Sequence, residues 1–186
     1  MGVLKYAILG LLHQKSMTGY EITKEFETTL LQSWRAKHSQ IYPKLKSLTE
    51  KDLVKYEVQI SGNVLEKKVY SLTEKGEKDF LNWASKLDEI KPSEKSEFKL
   101  KLFFSYCTKP QERIAILKHQ HTQHSYRLLK LKNDLQKFSS IPPTDDKEFS
   151  DYLVLLGAIM NEESICNWLE TSIKLCKERE NPSSEK

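Results

Sequence analysis

Residues suited to contact nucleic acid are concentrated between positions 36 and 48, where the chain reads Ala-Lys-His-Ser-Gln-Ile-Tyr-Pro-Lys-Leu-Lys-Ser-Leu. Ile41, Leu45 and Leu48 recur at i, i+4 and i+7, so a helix would place all three on one side. The opposite side would carry Ser39, Tyr42, Pro43, Lys46 and Ser47, with the Gln40 amide at its edge. Such a helix could dock on its own domain through the apolar side and offer hydrogen-bond donors and cations to bases and phosphates.

The same stretch has an uneven distribution of charge. The whole chain has 186 residues and a net charge of +4, which by itself favours no class of partner. No acidic residue lies between Glu27 and Glu50, whereas this window contains Arg35, Lys37, Lys44 and Lys46. A basic face that contacts only solvent is the alternative explanation. Because the basic window coincides with the predicted helix, we favour contact with the phosphates of double-stranded DNA.

The elements around this helix follow the order of a winged helix-turn-helix domain, with two helices before it and a hairpin and a helix after it. Apolar spacing predicts helices over residues 3–12 and 18–31. The third helix should begin near His38 or Ser39. Pro43 would then lie close to the first turn, where backbone N–H groups lack helical partners in any case.

Capping and turn residues mark the remaining boundaries of this domain. Thr18, with Glu21 three residues later, matches a capping box at the start of the second helix. Strands rich in Val, Ile and Tyr are predicted over 53–60 and 65–72, on either side of a short turn. Thr73 should cap a fourth helix, so that residues 1–90 form one mixed domain with a small β-hairpin.

Two lysines on the second predicted strand, Lys67 and Lys68, could contribute to the same surface. In a winged domain the hairpin commonly lies along the DNA backbone, where lysine neutralises phosphates and makes the affinity depend on salt. Protection of an exposed sheet edge is the alternative role for lysine there. The adjacent basic helix favours the phosphate contact.

The second half of the chain, 91–178, is predicted to be helical, with a polar tail at 179–186. Helices are expected over 97–106, 111–138 and 149–177, and the two longer ones repeat apolar positions at gaps of three and four, as coiled coils do. The repeated positions are Ile114, Leu117, His121, His124, Leu128, Leu131, Leu135 and Phe138 in one helix, and Tyr152, Leu155, Ile159, Glu162, Cys166, Leu169, Ile173 and Cys176 in the other. We expect these long stripes to pack against a second copy of the chain, which gives a homodimer.

Histidine and glutamate occur within these apolar stripes. His121 and His124 occupy stripe positions in one helix, and Glu162 does so in the other. Because a buried carboxylate needs a partner, we predict a contact between Glu162 and one of these histidines. His119 points elsewhere on the same helix, and no Asp or Cys stands at ligand spacing, so we predict no metal site.

The sequence contains no arrangement that predicts catalysis or a cofactor. There is no nucleophile elbow, no glycine-rich phosphate loop and no HExxH motif. Cys107, Cys166 and Cys176 match no zinc or disulfide spacing, and we interpret them as reduced core residues of a cytoplasmic protein. No secretory signal or membrane-spanning run is predicted at the N-terminus.

Four motifs resemble the PadR family of bacterial transcriptional regulators. They are Leu-Gly-Leu-Leu at 9–12, Thr-Gly-Tyr-Glu-Ile at 18–22, Ile-Tyr-Pro-Lys-Leu-Lys-Ser-Leu at 41–48 and Lys-Val-Tyr-Ser-Leu-Thr-Glu-Lys-Gly at 68–76. The resemblance runs through the whole N-terminal half, and the C-terminal helices are similar in layout to the family's dimerisation domain. One departure is that Ser39-Gln40 stands where much of the family has Gly-Thr.

The resemblance implies a repressor of a phenolic acid decarboxylase gene that releases operator DNA when hydroxycinnamic acids bind. The residues that match the family's DNA contacts, together with neighbours in the basic window, are Tyr20, Lys37, Ser39, Gln40, Tyr42, Lys44, Lys46, Asn63, Lys67 and Lys68. In this set Gln40 could pair with adenine through two hydrogen bonds, and the lysines would add attraction that is independent of sequence.

A phenolic acid would need apolar or aromatic walls and a cation for its carboxylate. The first helix has a second apolar face, formed by Val3, Tyr6 and Leu9, which we expect to lie against the C-terminal helices. The candidate effector-binding residues from this layout are Val3, Tyr6, Phe98, Lys101, Tyr152 and Trp168, with Lys5 and Arg127 as further carboxylate partners.

Two alternatives stay open at this point. The first is a regulator of the same family that controls a multidrug exporter or another operon and responds to a cationic or different aromatic effector. The second is a helical adaptor whose basic helix binds an acidic protein instead of DNA.

Overall fold

The computed structural model describes residues 2–28, 38–61, 65–89 and 95–180, which fall into two compact units, Met1–Lys91 and Pro92–Lys186. The predicted boundary after residue 90 falls one residue before this division. The fold is mainly helical with one small antiparallel sheet, and the predicted fold class is confirmed.

The first unit has the predicted helix and strand order with one additional short strand. Its elements are α1 (Leu4–Gln14), β1 (Met17–Thr18), α2 (Gly19–Glu27), α3 (His38–Glu50), β2 (Val54–Ser61), β3 (Leu65–Leu72) and α4 (Glu74–Ala84). The sheet order is β1-β3-β2, and both pairings are antiparallel. The additional strand pairs Met17 with Tyr70 and Thr18 with Val69, and so ties the start of α2 to the hairpin.

The core of this unit is built from apolar residues of all its larger helices. Ile8 and Leu9 of α1 are both completely buried in it. The expectation that Leu9 belongs to a face that leaves this unit is therefore wrong. Tyr6, from the same expected face, stacks on Trp83 of α4, with ring centroids 4.5 Å apart and planes 4° from parallel. Val3 is 41% exposed.

The third helix begins at His38, as predicted, but Pro43 is its sixth residue and lies beyond the first turn. The expectation that Pro43 lies where its missing N–H costs no helical hydrogen bond is therefore wrong. The helix continues through Pro43 without the hydrogen bond that an N–H at this position would donate to the Ser39 carbonyl.

The fourth helix is fixed against the end of α3 by its own cap. Thr73 accepts a hydrogen bond from the Gly76 amide at 3.0 Å and donates one from its hydroxyl to the Asp52 carbonyl at 2.8 Å. Gly76 has no room for a side chain, since a Cβ there would lie 1.9 Å from the Leu53 carbonyl oxygen.

The second unit is a helical hairpin preceded by a short helix. Its elements are α5 (Glu97–Phe103), a 3-10 helix (Ser105–Cys107), α6 (Pro110–Leu135) and α7 (Lys147–Glu180). Leu131 of α6 packs with Leu155 and Ile159 of α7. The predicted stripes therefore bury much of their surface against each other within one chain, which corrects the expectation that a second copy covers them. Cys107 is exposed, which also corrects its assignment to the core.

The predicted contact between Glu162 and a histidine is confirmed. Glu162 is only 2% exposed, its Oε2 lies 2.5 Å from His124 Nδ1, and its Oε1 forms an ion pair with Arg127 Nε at 3.2 Å. His121 instead contacts Glu170, at 2.9 Å. One buried carboxylate on α7 thus has two cationic or hydrogen-bonding partners, both on α6.

Replacing Glu162 with alanine should lower the free energy of unfolding by about 2 kcal/mol, because it removes a buried side chain together with its contacts to His124 and Arg127. Glu163→Ala is the matched control. Glu163 pairs with Lys132 at 2.7 Å, both side chains are at least two-fifths exposed, and such surface pairs contribute less than about 1 kcal/mol. Urea denaturation at one protein concentration measures both variants, and equal losses would contradict a special role for the buried carboxylate.

Candidate nucleic-acid interface

The outward face of α3 is a polar surface held in place by a buried apolar one. Ile41 and Leu45 are completely buried and Leu48 is 2% exposed, in the same core as Ile22 and Phe26 of α2. This confirms the predicted apolar side of the helix. Ser39, Gln40, Tyr42 and Lys46 are exposed on the other side, and Lys44 is half-buried. The rotation of α3 about its axis is therefore fixed by three apolar side chains.

The start of α2 lies beside this surface and is fixed by a full capping box. The Thr18 backbone N–H donates to Glu21 Oε2 at 2.7 Å, and the Glu21 N–H donates to the Thr18 hydroxyl at 3.2 Å. The hydrogen bond from the Thr18 backbone N–H, and after it one that the Thr18 hydroxyl donates to the same carboxylate oxygen at 2.8 Å, lower the pKa of the Glu21 carboxyl. The cap therefore stabilises α2 fully at pH values above the ordinary carboxyl pKa. This stabilisation is lost as the pH falls through the lowered pKa of Glu21. Tyr20, in the first turn, is 70% exposed.

Contact between α2 and α3 depends on a glycine at the first position of α2. A Cβ added to Gly19 would lie 2.8 to 3.0 Å from three atoms of the Tyr42 ring, namely Cε1, Cζ and the hydroxyl oxygen. The Tyr42 ring therefore lies directly on the α2 backbone. This contact sets the position of the Tyr42 hydroxyl at the edge of the polar face.

The hairpin places an aromatic and cationic pair near the same surface. Lys68 Nζ lies 4.3 Å from the centre of the Tyr56 ring, and the rings of Tyr56 and Tyr70 are 5.6 Å apart. Burial, foremost, raises the pKa of the Tyr70 hydroxyl, and Tyr42 and Tyr56 are close enough to add to that rise. Tyr42 of α3 and the Lys68–Tyr56 pair of the hairpin thus approach the same buried tyrosine.

The two hairpin lysines differ in direction. Lys68 pairs with Val58 across the hairpin and Lys67 pairs with Gln59, so that the two point to opposite faces of the sheet. Lys67 lowers the pKa of Glu21, which puts it near the start of α2. A single flat phosphate surface would meet one of these lysines more directly than the other. Lys37 and Asn63, also predicted to contact DNA, lie outside the described residues.

The residues predicted to bind an effector do not form one cluster within a chain. Phe98 and Trp168 contact edge to face, with centroids 5.9 Å apart, whereas Tyr152 contacts Phe138 at 5.6 Å. Tyr152 and Trp168 are 16 positions apart on α7 (168 minus 152), which corresponds to about 24 Å along the helix. One small molecule cannot contact both within one chain.

The cations proposed for the effector's carboxylate are engaged elsewhere. Lys5 is 6% exposed and forms an ion pair with Asp79. Burial lowers the pKa of Lys5, but Asp79 and Tyr6 together outweigh it and leave the pKa raised. Lys101 pairs with Glu97 within α5 at 2.7 Å, and Arg127 binds Glu162. The assignment of Val3 and Tyr6, in the first unit, to an effector site therefore stays a prediction. Each of the three cations proposed to bind the effector's carboxylate is already paired with a carboxylate of the protein.

Two further observations concern the kind of site that the described residues can form. Across residues 2–28, 38–61, 65–89 and 95–180, no three His, Cys, Asp or Glu side chains are grouped as metal ligands. None of the helices in these ranges is long and apolar enough to span a membrane.

Comparison with known proteins gives the same division of the chain. A family model described as the transcriptional regulator PadR-like family matches residues 8–82, and a second, described as virulence activator alpha C-term, matches residues 94–177. The negative transcriptional regulator PadR of Bacillus subtilis is 39% identical over 178 residues, which cover 94% of this chain and 98% of the relative. The chain belongs to the PadR-like family of transcriptional regulators.

Solved structures of the Bacillus subtilis member of the PadR-like family have the same fold. Its complex with operator DNA has a TM-score of 0.87 and 36% identity, and covers 94% of this chain and 99% of that one. Its complex with p-coumaric acid has a TM-score of 0.86 and 34% identity, and covers 95% and 99%. Family membership predicted from the four motifs is thereby confirmed.

Sequence reasoning missed Gly19 and Tyr56 as parts of this PadR-like surface. Gly19 lies inside the quoted Thr-Gly-Tyr-Glu-Ile motif, but only the contact with Tyr42 explains why a glycine stands there. Tyr56 could have been found by pairing the strands outward from the turn, since that register puts Tyr56 opposite Tyr70 and next to Lys68.

Replacing Gly19 with alanine should weaken operator binding about tenfold, which corresponds to about 1.4 kcal/mol, because the Tyr42 ring must move away from α2. Gly10→Ala is the matched control, since its Cβ would meet only the Phe80 ring, at 3.2 Å. Fluorescence anisotropy with labelled operator DNA compares the two variants. If both bind as tightly as the original chain, the Tyr42–Gly19 contact does not position a DNA-binding group.

Proposed function

We propose that this PadR-like regulator is a homodimeric repressor that binds operator DNA in the cytoplasm and is released by a phenolic acid. The regulated gene would encode a phenolic acid decarboxylase, and the protein would act by binding and not by catalysis. The observation that carries the proposal is the exposed polar face of α3, fixed by buried Ile41, Leu45 and Leu48, in a chain that is similar over 94% of its length to Bacillus subtilis PadR.

The roles of the α3 residues follow from their chemistry and exposure. Gln40 is exposed near the start of the helix, and an amide can form two hydrogen bonds with adenine in the major groove. The Tyr42 hydroxyl can donate to a phosphate, and exposed Lys46 adds attraction that does not depend on sequence. Tyr20, Ser39, Lys44 and the hairpin lysines would contact the backbone on either side.

A dimer is supported by apolar surface that the second unit leaves uncovered. Leu100, Phe103, Leu129 and Met160 are each more than half exposed, although α6 and α7 bury their main stripes against each other. These side chains lie on α5, α6 and α7, and a second copy of the chain would remove them from water. We propose that residues 91–178 form the dimerisation domain. Two copies would present two α3 helices to half-sites about 34 to 36 Å apart on DNA.

Release by an effector requires only that the ligand bind one arrangement of the dimer better than another. The proposal of a phenolic acid is supported by the structure of the Bacillus subtilis relative with p-coumaric acid, at 34% identity to this chain. A cationic or other aromatic effector in place of a phenolic acid is the competing outcome of the test.

The test is a titration of labelled DNA from upstream of the chain's own gene and of neighbouring genes, with and without effectors. We expect p-coumaric and ferulic acids to release the DNA and a cationic dye to leave it bound. Release by the dye alone would contradict the phenolic acid as effector but leave the proposed repressor function standing. Failure to bind any of these duplexes at low salt would overturn the proposed function.

Two substitutions on α3 separate sequence readout from phosphate attraction. Lys46→Ala should weaken binding to operator and random DNA alike and reduce the slope of log K against log salt by about one. Gln40→Ala should weaken operator binding about tenfold or more and leave random DNA nearly unaffected. Lys118→Ala, which removes an exposed charge from α6 in the second unit, is the control and should leave the salt slope unchanged. Equal effects of the Gln40 and Lys46 variants on both DNAs would contradict this division.

A further inference from the structure

A cavity of about 340 Å³ lies between the first turn of α6 and the last turns of α7. It is lined by Pro110 and Arg113 from α6 and by Leu175, Cys176 and Arg179 from α7. Two of these five residues are guanidinium cations and two, the proline and the leucine, are apolar. The volume is at the lower end of the range for small-molecule sites.

Both arginines are available to an anion, in different ways. Among the residues that the structure describes, neither Arg113 nor Arg179 is in an ion pair. Arg113 is held in place because its Nε donates to the Ser105 hydroxyl at 2.8 Å and its Nη2 donates to the Ser105 carbonyl at 3.0 Å. Ser105 is itself 4% exposed, so this contact is buried. A guanidinium has five N–H donors, and these two bonds leave the others for a ligand.

The preference of the cavity for negative charge comes from its two arginines. The positive N-terminal end of the α6 dipole is offset by Glu112 in the same turn, whose carboxylate accepts a hydrogen bond from the Lys109 backbone N–H at 3.0 Å. The opposite, negative end of α7 is offset by Lys177 and Arg179 in its last turn. A metal cation is therefore disfavoured here, whereas an anion with an apolar body fits both the charges and the walls.

We propose that this cavity is a binding site for a small organic carboxylate. The carboxylate would lie between Arg113 and Arg179, since guanidinium groups bind carboxylates through paired hydrogen bonds. The apolar part of the ligand would contact Pro110 and Leu175 and cover the Cys176 thiol. The location follows from this chain alone. The choice of a phenolic acid as the first ligand to test rests on the proposed function.

Alkylation of cysteine in the full-length chain tests this site without using DNA release as the readout. Iodoacetamide is neutral, and mass spectrometry follows its reaction with Cys176 and with exposed Cys107 in the same sample. We expect p-coumarate at about ten times its dissociation constant to slow reaction at Cys176 about tenfold and to leave Cys107 unchanged. Methyl p-coumarate, which lacks the charge, and inorganic phosphate, which lacks the apolar body, should protect poorly.

Variants of the arginines complete the test. Arg179→Gln should raise the p-coumarate concentration needed for protection about tenfold or more, because one charge-assisted contact is lost. Lys118→Gln removes an exposed charge of α6 that does not line the cavity and should change this concentration little. Arg113→Gln is examined together with its thermal unfolding, since it also loses the contact with Ser105.

The outcomes separate the site from the proposed function. DNA release by p-coumarate with no protection of Cys176 and no effect of Arg179→Gln would overturn this site and keep the repressor. If p-coumarate does not release DNA but p-coumarate or benzoate protects Cys176 in an Arg179-dependent way, the site stands and the proposed effector falls. Equal protection by the methyl ester would overturn the carboxylate contact with the arginines.

Discussion

Burial of Ile41, Leu45 and Leu48 is the constraint on which the proposed DNA-binding surface depends. These three side chains join the core formed by α1 and α2, and each removes at least 98% of its surface from water. Full burial of an aliphatic side chain stabilises by about 1.5–3 kcal/mol, so rotation of α3 would be costly. Gln40, Tyr42 and Lys46 face outward because the opposite, apolar side of α3 is held in the core.

The surroundings of α3 turn a fixed helix into a composite surface. The short strand β1 joins the start of α2 to β3, and Gly19 brings that start against the Tyr42 ring. Lys68 lies over Tyr56 on the hairpin, whose other neighbour is Tyr70. Side chains from two helices and two strands are thus held by backbone pairing and close ring contacts. Their arrangement does not depend on contacts between long, flexible side chains.

Periodicity and capping allowed much of this fold to be predicted from sequence, because both act over a few residues. The apolar side of α3, the box formed by Thr18 and Glu21, the hairpin and the contact of Glu162 with a histidine all follow from local spacing or from the cost of burying a charge. The strand β1 was missed because two residues are too short to show alternation. The partner of the α6 and α7 stripes was misassigned, since a stripe indicates that a helix is covered but not by what. The Tyr6–Trp83 stack and the cavity lined by Arg113 and Arg179 join residues 66 or more positions apart, and no local pattern reports such pairs.

The Glu162 carboxylate has a consequence for how α6 and α7 can move. Leucine and isoleucine packing along two helices tolerates sliding by one turn, because one aliphatic contact resembles the next. A displacement of about 5.4 Å would separate the buried Glu162 side chain from both His124 and Arg127. The contacts of Glu162 with His124 and Arg127 therefore fix the register of α6 against α7. Any signal passing through the second unit should travel as a tilt of the whole hairpin, with no slippage between its two arms.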